Sequence, residues 1–117
     1  MGTKRGTPKS RISPMSRSLA LMRERGYHAE ISEYRSRDGT THDLFGFGDI
    51  FCIHMERNND IVIVQTTTGS NKSARIKKIT DSELLPYVRR AGIGILVHGW
   101  RYMARSKEWE HGEVDMS

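Results

Sequence analysis

Three polar residues at the ends of two apolar runs could do chemistry. Asp49 opens the run 49–55, and Gln65 and Thr67 close the run 61–68. A period of two puts Gln65 and Thr67 on the same face as Ile61 and Ile63. Asn58-Asn59-Asp60 reads as a tight turn, which makes the two runs antiparallel neighbours. The start of the first run then lies beside the end of the second, so Asp49 should fall near Gln65 and Thr67. A carboxylate, an amide oxygen and nearby backbone carbonyls are hard oxygen donors of the kind Mg²⁺ (or Mn²⁺) accepts. Such an ion can lower the pKa of a bound water and neutralise charge on a phosphodiester. Spacing alone also allows Asp49 to be a turn cap, and Gln65 and Thr67 to be polar strand ends.

Nearby residues extend both readings. Asp43 begins Asp43-Leu-Phe-Gly-Phe-Gly-Asp49, where Gly46 and Gly48 permit a bent backbone and Leu44, Phe45 and Phe47 are expected to pack. Asp43 is either a second acid near the metal or a structural partner of Arg37 or Arg75. Glu33 is a further candidate acid. Ser70, Asn71, Lys72, Arg75, Lys77 and Lys78 follow Gln65 and Thr67 directly. They form a basic helix start that could hold phosphates, or a solvated face. His98 reads as a hydrogen-bonded core residue or as a fourth polar group at the same sheet edge. The five histidines show no zinc spacing, and Cys52 inside an apolar run reads as inert packing. No Gly-rich phosphate loop and no nucleophile elbow is present.

The elements that must position these residues follow from local signals. Ser13-Pro14 starts a helix and Gly26 stops it. The segment 27–34 alternates as a half-exposed strand with Ala29 and Ile31 inward, and Asp38-Gly39 is a turn. The run 61–68 begins apolar on both faces, as in a central strand covered on both sides. Ser70 or Asn71 can cap a helix through Ile79. A second helix over 82–90 carries Pro86 as a break, 93–98 is a strand, and 109–114 is a short edge strand. A strand–helix–strand passage implies a parallel crossover.

Composition sets outer bounds. The chain has 117 residues, 36% hydrophobic and 28% charged, with a net charge of +5. It is read as a flexible basic arm at 1–12 and a single α/β domain at 13–117. Its pI near 9.7 favours an anionic partner. A single cysteine excludes an intramolecular disulfide framework and a Cys-based zinc site. No apolar run approaches the length of a membrane span, and no signal-peptide core follows the basic N-terminus. The expected setting is cytoplasmic, with no membrane partner and no small-molecule cofactor.

The order helix, three-strand meander, helix, strand resembles the PD-(D/E)XK nuclease superfamily, the restriction-endonuclease-like fold shared with archaeal Holliday-junction resolvases. The resemblance covers roughly residues 14–100. It implies a mixed central sheet, with Asp49 as the motif Asp and Gln65-Thr66-Thr67 in the place of (Glu/Gln)-x-Lys. The stretches 43–49, 64–71, 74–78 and 97–100 also resemble a small group of phage and bacterial proteins, which extends the expected setting to the cytoplasm of a phage host. The superfamily Lys, which offsets developing negative charge, is Thr67 here, and Lys72 is the first candidate to replace it. The resemblance implies an Mg²⁺-dependent endonuclease cleaving DNA, with branched DNA as one candidate substrate; a homodimer is expected from that function, since a symmetric substrate needs two active sites. Asp49, Gln65 and the Thr66 carbonyl would hold the metal, and Thr67 and Lys72 would address water or phosphate. Two alternatives stand beside it: a nuclease fold that binds DNA without cutting it, and a structural or interaction protein whose basic arm meets an acidic partner.

Overall fold

The computed structural model describes residues 12–117. The basic arm expected at 1–12 lies, except for Ile12, outside the described residues. Helix α1 (Pro14–Glu24) starts as its sequence dictates: the Ser13 side chain accepts the Ser16 amide at 3.1 Å, and Pro14 fills the first helical position. Gly26 follows at φ 97°, a left-handed stop that a side chain would strain.

The chain then forms β1 (Tyr27–Ile31), a small hairpin of β2 (Tyr34–Arg35) and β3 (Thr41–His42), then β4 (Ile50–His54) and β5 (Ile61–Thr68). A 3-10 turn (Gly69–Asn71) leads into α2 (Lys72–Thr80), followed by α3 (Leu85–Arg90), β6 (Gly94–Met103) and β7 (Glu108–Asp115). Five strands make one mixed sheet in the order β1-β4-β5-β6-β7. Pairs β1–β4, β4–β5 and β6–β7 are antiparallel, and β5–β6 is parallel across the α2–α3 crossover. The protein is thus α/β with one parallel pair, as the strand–helix–strand passage requires.

The centre of the sheet is covered on both faces. Met22, Tyr27, Ala29, Ile50, Cys52, Val62 and Val64 pack on the α1 side. Phe47, Ile63, Ile79, Leu85, Val88, Ile95 and Val97 pack on the α2–α3 side. Strand β5 feeds both cores, because Val62 and Val64 alternate with Ile63.

Several local expectations change. Strand β1 ends at Ile31, which is 53% exposed and not inward, because the chain leaves the sheet there toward the β2–β3 hairpin. Neither Ser70 nor Asn71 caps α2 with its side chain; the 3-10 turn runs straight into the helix. Helix α3 begins at Leu85 with Pro86 in its first turn, so Pro86 starts this helix and does not break one. Strand β6 continues five residues past His98, and β7 pairs with it from Met103–Glu108 to Leu96–Asp115. Among the described residues, no helix is long and apolar enough to cross a membrane.

Candidate functional site

The β4–β5 hairpin brings Asp49 to Gln65. One carboxylate oxygen of Asp49 accepts from Gln65 Nε2 at 2.6 Å, from the Thr66 amide at 2.8 Å and from Thr66 Oγ1 at 3.3 Å. Asp49 is 3% exposed and Gln65 is 2% exposed. Gln65 Oε1 is buried with no hydrogen-bond partner. A buried acceptor left in that state is unfavourable by roughly 1–3 kcal/mol.

Two more carboxylates join Asp49. Ligand-capable oxygens of Glu33, Asp43 and Asp49 all lie within 4.8 Å of one another. The backbone explains how. The Asp49 carbonyl accepts the Ser32 amide at 2.8 Å and the Glu33 amide at 3.4 Å, which ties the segment after β1 to the start of β4. Asp43 comes from the turn before β4, closed by the Leu44–Gly48 bridge. Gly48 lets that turn press on β5: a Cβ there would lie 2.6 Å from Ile63 Cγ2.

The pKa of Asp49 is raised to about 7. Burial is the main cause. The Thr66 amide opposes it, and the nearby Asp43 and Glu33 carboxyls add to it. Asp43 is paired with Lys78, Nζ to Oδ2 at 3.1 Å, and not with Arg37 or Arg75. It therefore serves as both a neighbouring acid and an ion-pair partner.

The other predicted residues scatter. Thr66 meets Asp49 through its amide and hydroxyl, while its carbonyl lies 3.5 Å from Gln65 Nε2. Thr67 is buried one pleat beyond Gln65, opposite Gly99 of β6. Lys72 does not reach the acids. It crosses β6 and β7 over the paired Gly99 and Gly112, and a Cβ on Gly112 would lie 2.5 Å from its Nζ. Strand β7 is three strands from β4, roughly 14 Å across the sheet. Ser70 shares a 3.2 Å hydroxyl contact with Thr68, and Lys77 pairs with Asp81 at 2.7 Å. Arg75 is half-buried and Lys78 is exposed on α2. Lys78 is thus the α2 cation that meets the acids. No spacing rule singles it out from Lys72 or Lys77, because the crossing of α2 over the sheet decides which basic residue arrives.

His98 is the core residue that one reading expected. It stands opposite Thr66 and points to the α1 side. Ser18 Oγ lies 2.8 Å from its Nδ1, Glu113 Oε2 lies 2.7 Å from its Nε2, and Trp100 Nε1 donates to Ser18 Oγ at 2.8 Å. Burial holds the His98 pKa below its usual value. The neutral ring then accepts from Ser18 and donates to Glu113. The connectivity is that of a nucleophile–base–acid relay, but Ser18 is fully buried and its oxygen is occupied by Trp100. The network ties α1 to β6 and β7 and offers no room for a substrate. Cys52 is buried, which pushes its thiol up to about 12.

No protein-family model, curated protein or solved structure matches this chain.

Proposed function

We propose that this chain is a divalent-metal-dependent endonuclease that hydrolyses DNA phosphodiester bonds, acting as a homodimer in the cytoplasm. One observation carries the reading: Glu33, Asp43 and Asp49 converge within 4.8 Å beside a buried, unpartnered Gln65 oxygen. Three carboxylates so close repel one another, and a hard divalent cation relieves that repulsion. The donor set is all oxygen, which suits Mg²⁺ or Mn²⁺ and not zinc. Asp49 and Asp43, with Glu33 and Gln65 beside them, are the residues that would hold it. When bound, the ion would acidify a water and offset charge on the scissile phosphate.

The chain's own groups complete the site. Lys78, already beside Asp43, supplies the cation that the resemblance expects at Thr67, in place of Lys72. Arg75 and Lys77 on the same helix offer sequence-independent attraction to the DNA backbone. The order of α1, the β1–β4–β5 meander interrupted by the β2–β3 hairpin, α2 and the parallel β6 supports this reading. A homodimer would present two such sites to a symmetric substrate, as branched DNA can be. The second reading, a fold that binds DNA without cutting it, is favoured by Thr67, which carries no charge where the superfamily has Lys.

The test is cleavage of labelled linear, single-stranded and four-way-junction DNA with Mg²⁺, Mn²⁺ or EDTA. Expected is metal-dependent cleavage that Asp49→Ala abolishes. Lys78→Ala should reduce it roughly 100-fold, in the range for loss of one charge-stabilising group, and Lys72→Ala much less. Cleavage that survives Asp49→Ala refutes the assignment. Salt-dependent binding without cleavage on every substrate and metal favours the second reading.

A further inference from the structure

The turn that carries Asp43 has a second feature that the acid cluster does not use. Phe45 and Gly46 are its central residues, at φ 56° and 84°, and the Phe47 amide closes it on the Leu44 carbonyl at 3.1 Å. Two successive positive φ values are the pattern of a type I′ turn, where Asn-Gly is favoured and a bulky aromatic is strained. Packing does not compensate that strain. Phe45 is 42% exposed and belongs to neither core, contrary to the packing expected of it from sequence.

Phe45 instead walls an open cleft of about 580 Å³. Tyr34, His42 and Leu84 add aromatic and apolar surface to that cleft, and Asp43 and Lys78 line its polar side. Tyr34 is 57% exposed and stacks on His42, with ring centroids 5.1 Å apart and planes within 19°. His42 is held in turn by a 3.1 Å contact to Ser36 Oγ. Asp43 belongs both to this cleft and to the acid cluster, so the two adjoin.

The geometry points to this cleft as a binding site for an unstacked nucleobase next to the phosphate to be cleaved. Phe45 and the Tyr34–His42 pair offer aromatic faces to the base, and Lys78 offers a cation to its phosphate. Stacking of this kind is sequence-tolerant, since every base has a π-face. A base paired within a continuous duplex cannot enter such a cleft without being extruded. The preferred substrate is therefore single-stranded or frayed DNA. The identity of the ligand rests on the endonuclease reading. The cleft itself does not depend on whether the acids bind metal.

The test uses a single-stranded oligonucleotide with one 2-aminopurine, titrated with the full chain in Ca²⁺ and in EDTA. A fully paired duplex and direct Mn²⁺ binding are followed in parallel. Phe45→Asn and Tyr34→Ala are compared with the unaltered protein. Phe45→Asn puts a favoured residue at the strained turn, so it should fold with a raised thermal midpoint. Each variant should weaken single-strand binding roughly 5- to 100-fold, the range for loss of one base–aromatic stack. Duplex and Mn²⁺ binding should change less than about two-fold, since neither uses the stack. Single-strand binding kept by both variants, or 2-aminopurine fluorescence unaltered at saturation, overturns the proposal. Absence of Mn²⁺ binding in the unaltered protein would instead count against the endonuclease reading, and the single-strand comparison would still judge the cleft.

Discussion

Asp49→Asn should stabilise this protein at alkaline pH when no divalent cation is present. The carboxyl titrates at about 7 in the folded chain, against an ordinary value of 3.8. That displacement is about three units, and each unit corresponds to about 1.4 kcal/mol. The folded state holds the proton more tightly than the unfolded chain, so stability falls as pH rises through the window from about 4 to about 7. The full loss is about 4 kcal/mol for a displacement of about three units. Asparagine keeps an oxygen for Gln65 Nε2 and the Thr66 amide, and it turns an NH₂ toward the acids. Urea unfolding of both proteins in EDTA at about pH 5 and about pH 8 should show the stability gap widen in the variant's favour by about 2–3 kcal/mol. A divalent cation at 100 times its dissociation constant should return about 2.7 kcal/mol to the unaltered protein, and much less to the variant. A gap that does not change with pH, or a variant that is less stable at both, refutes the account of a buried, mutually repelling acid cluster.

Two further substitutions test the frame around the site. Ser18→Ala removes a partner from both His98 Nδ1 and Trp100 Nε1 in a fully buried setting. It should reduce unfolding free energy by about 2–4 kcal/mol in urea titrations and leave Mn²⁺ affinity unchanged; a loss within about 0.5 kcal/mol, as at an ordinary surface position, contradicts this role. Gly48→Ala forces a methyl to 2.6 Å from Ile63 Cγ2 and 3.1 Å from the Leu44 carbonyl. It should destabilise by about 1–3 kcal/mol and weaken Mn²⁺ binding by calorimetry, because the turn it disturbs carries Asp43 and precedes Asp49.

The acid cluster and the basic helix form one electrostatic unit. Lys78 spans them, since its ammonium rests on Asp43 while the same helix carries the half-buried Arg75 and the exposed Lys77. A phosphate approaching the acids without a cation meets three carboxylates and is repelled. On the endonuclease reading, DNA binding at this end of the sheet should therefore depend on divalent cations more steeply than binding elsewhere on the basic surface, as titrations with and without EDTA would show.

Features set by neighbours in sequence could be read from sequence alone. Ser13, Pro14 and Gly26 bound α1, since capping and left-handed stops act within one helical turn. The meeting of Asp49 and Gln65 followed from a short hairpin, whose register leaves few alternatives. The doubly covered β5 followed from its uninterrupted apolar start, and a buried Cys52 from its place in an apolar run. What depends on distant backbone was not legible. Residue type already made Glu33 and Asp43 candidate acids, but they reach Asp49 only because a carbonyl binds the segment after β1 and because Gly48 packs against Ile63. Lys78 and not Lys72 meets the acids because the crossing of α2 over β5 and β6 sets which helical face arrives where. Phe45 stands exposed because a turn with two positive φ values turns it out of the core, although composition alone places it with Leu44 and Phe47. Periodicity states which face of an element is apolar, whereas the side chains that meet across elements are chosen by packing and main-chain hydrogen bonds that form only when the whole sheet closes.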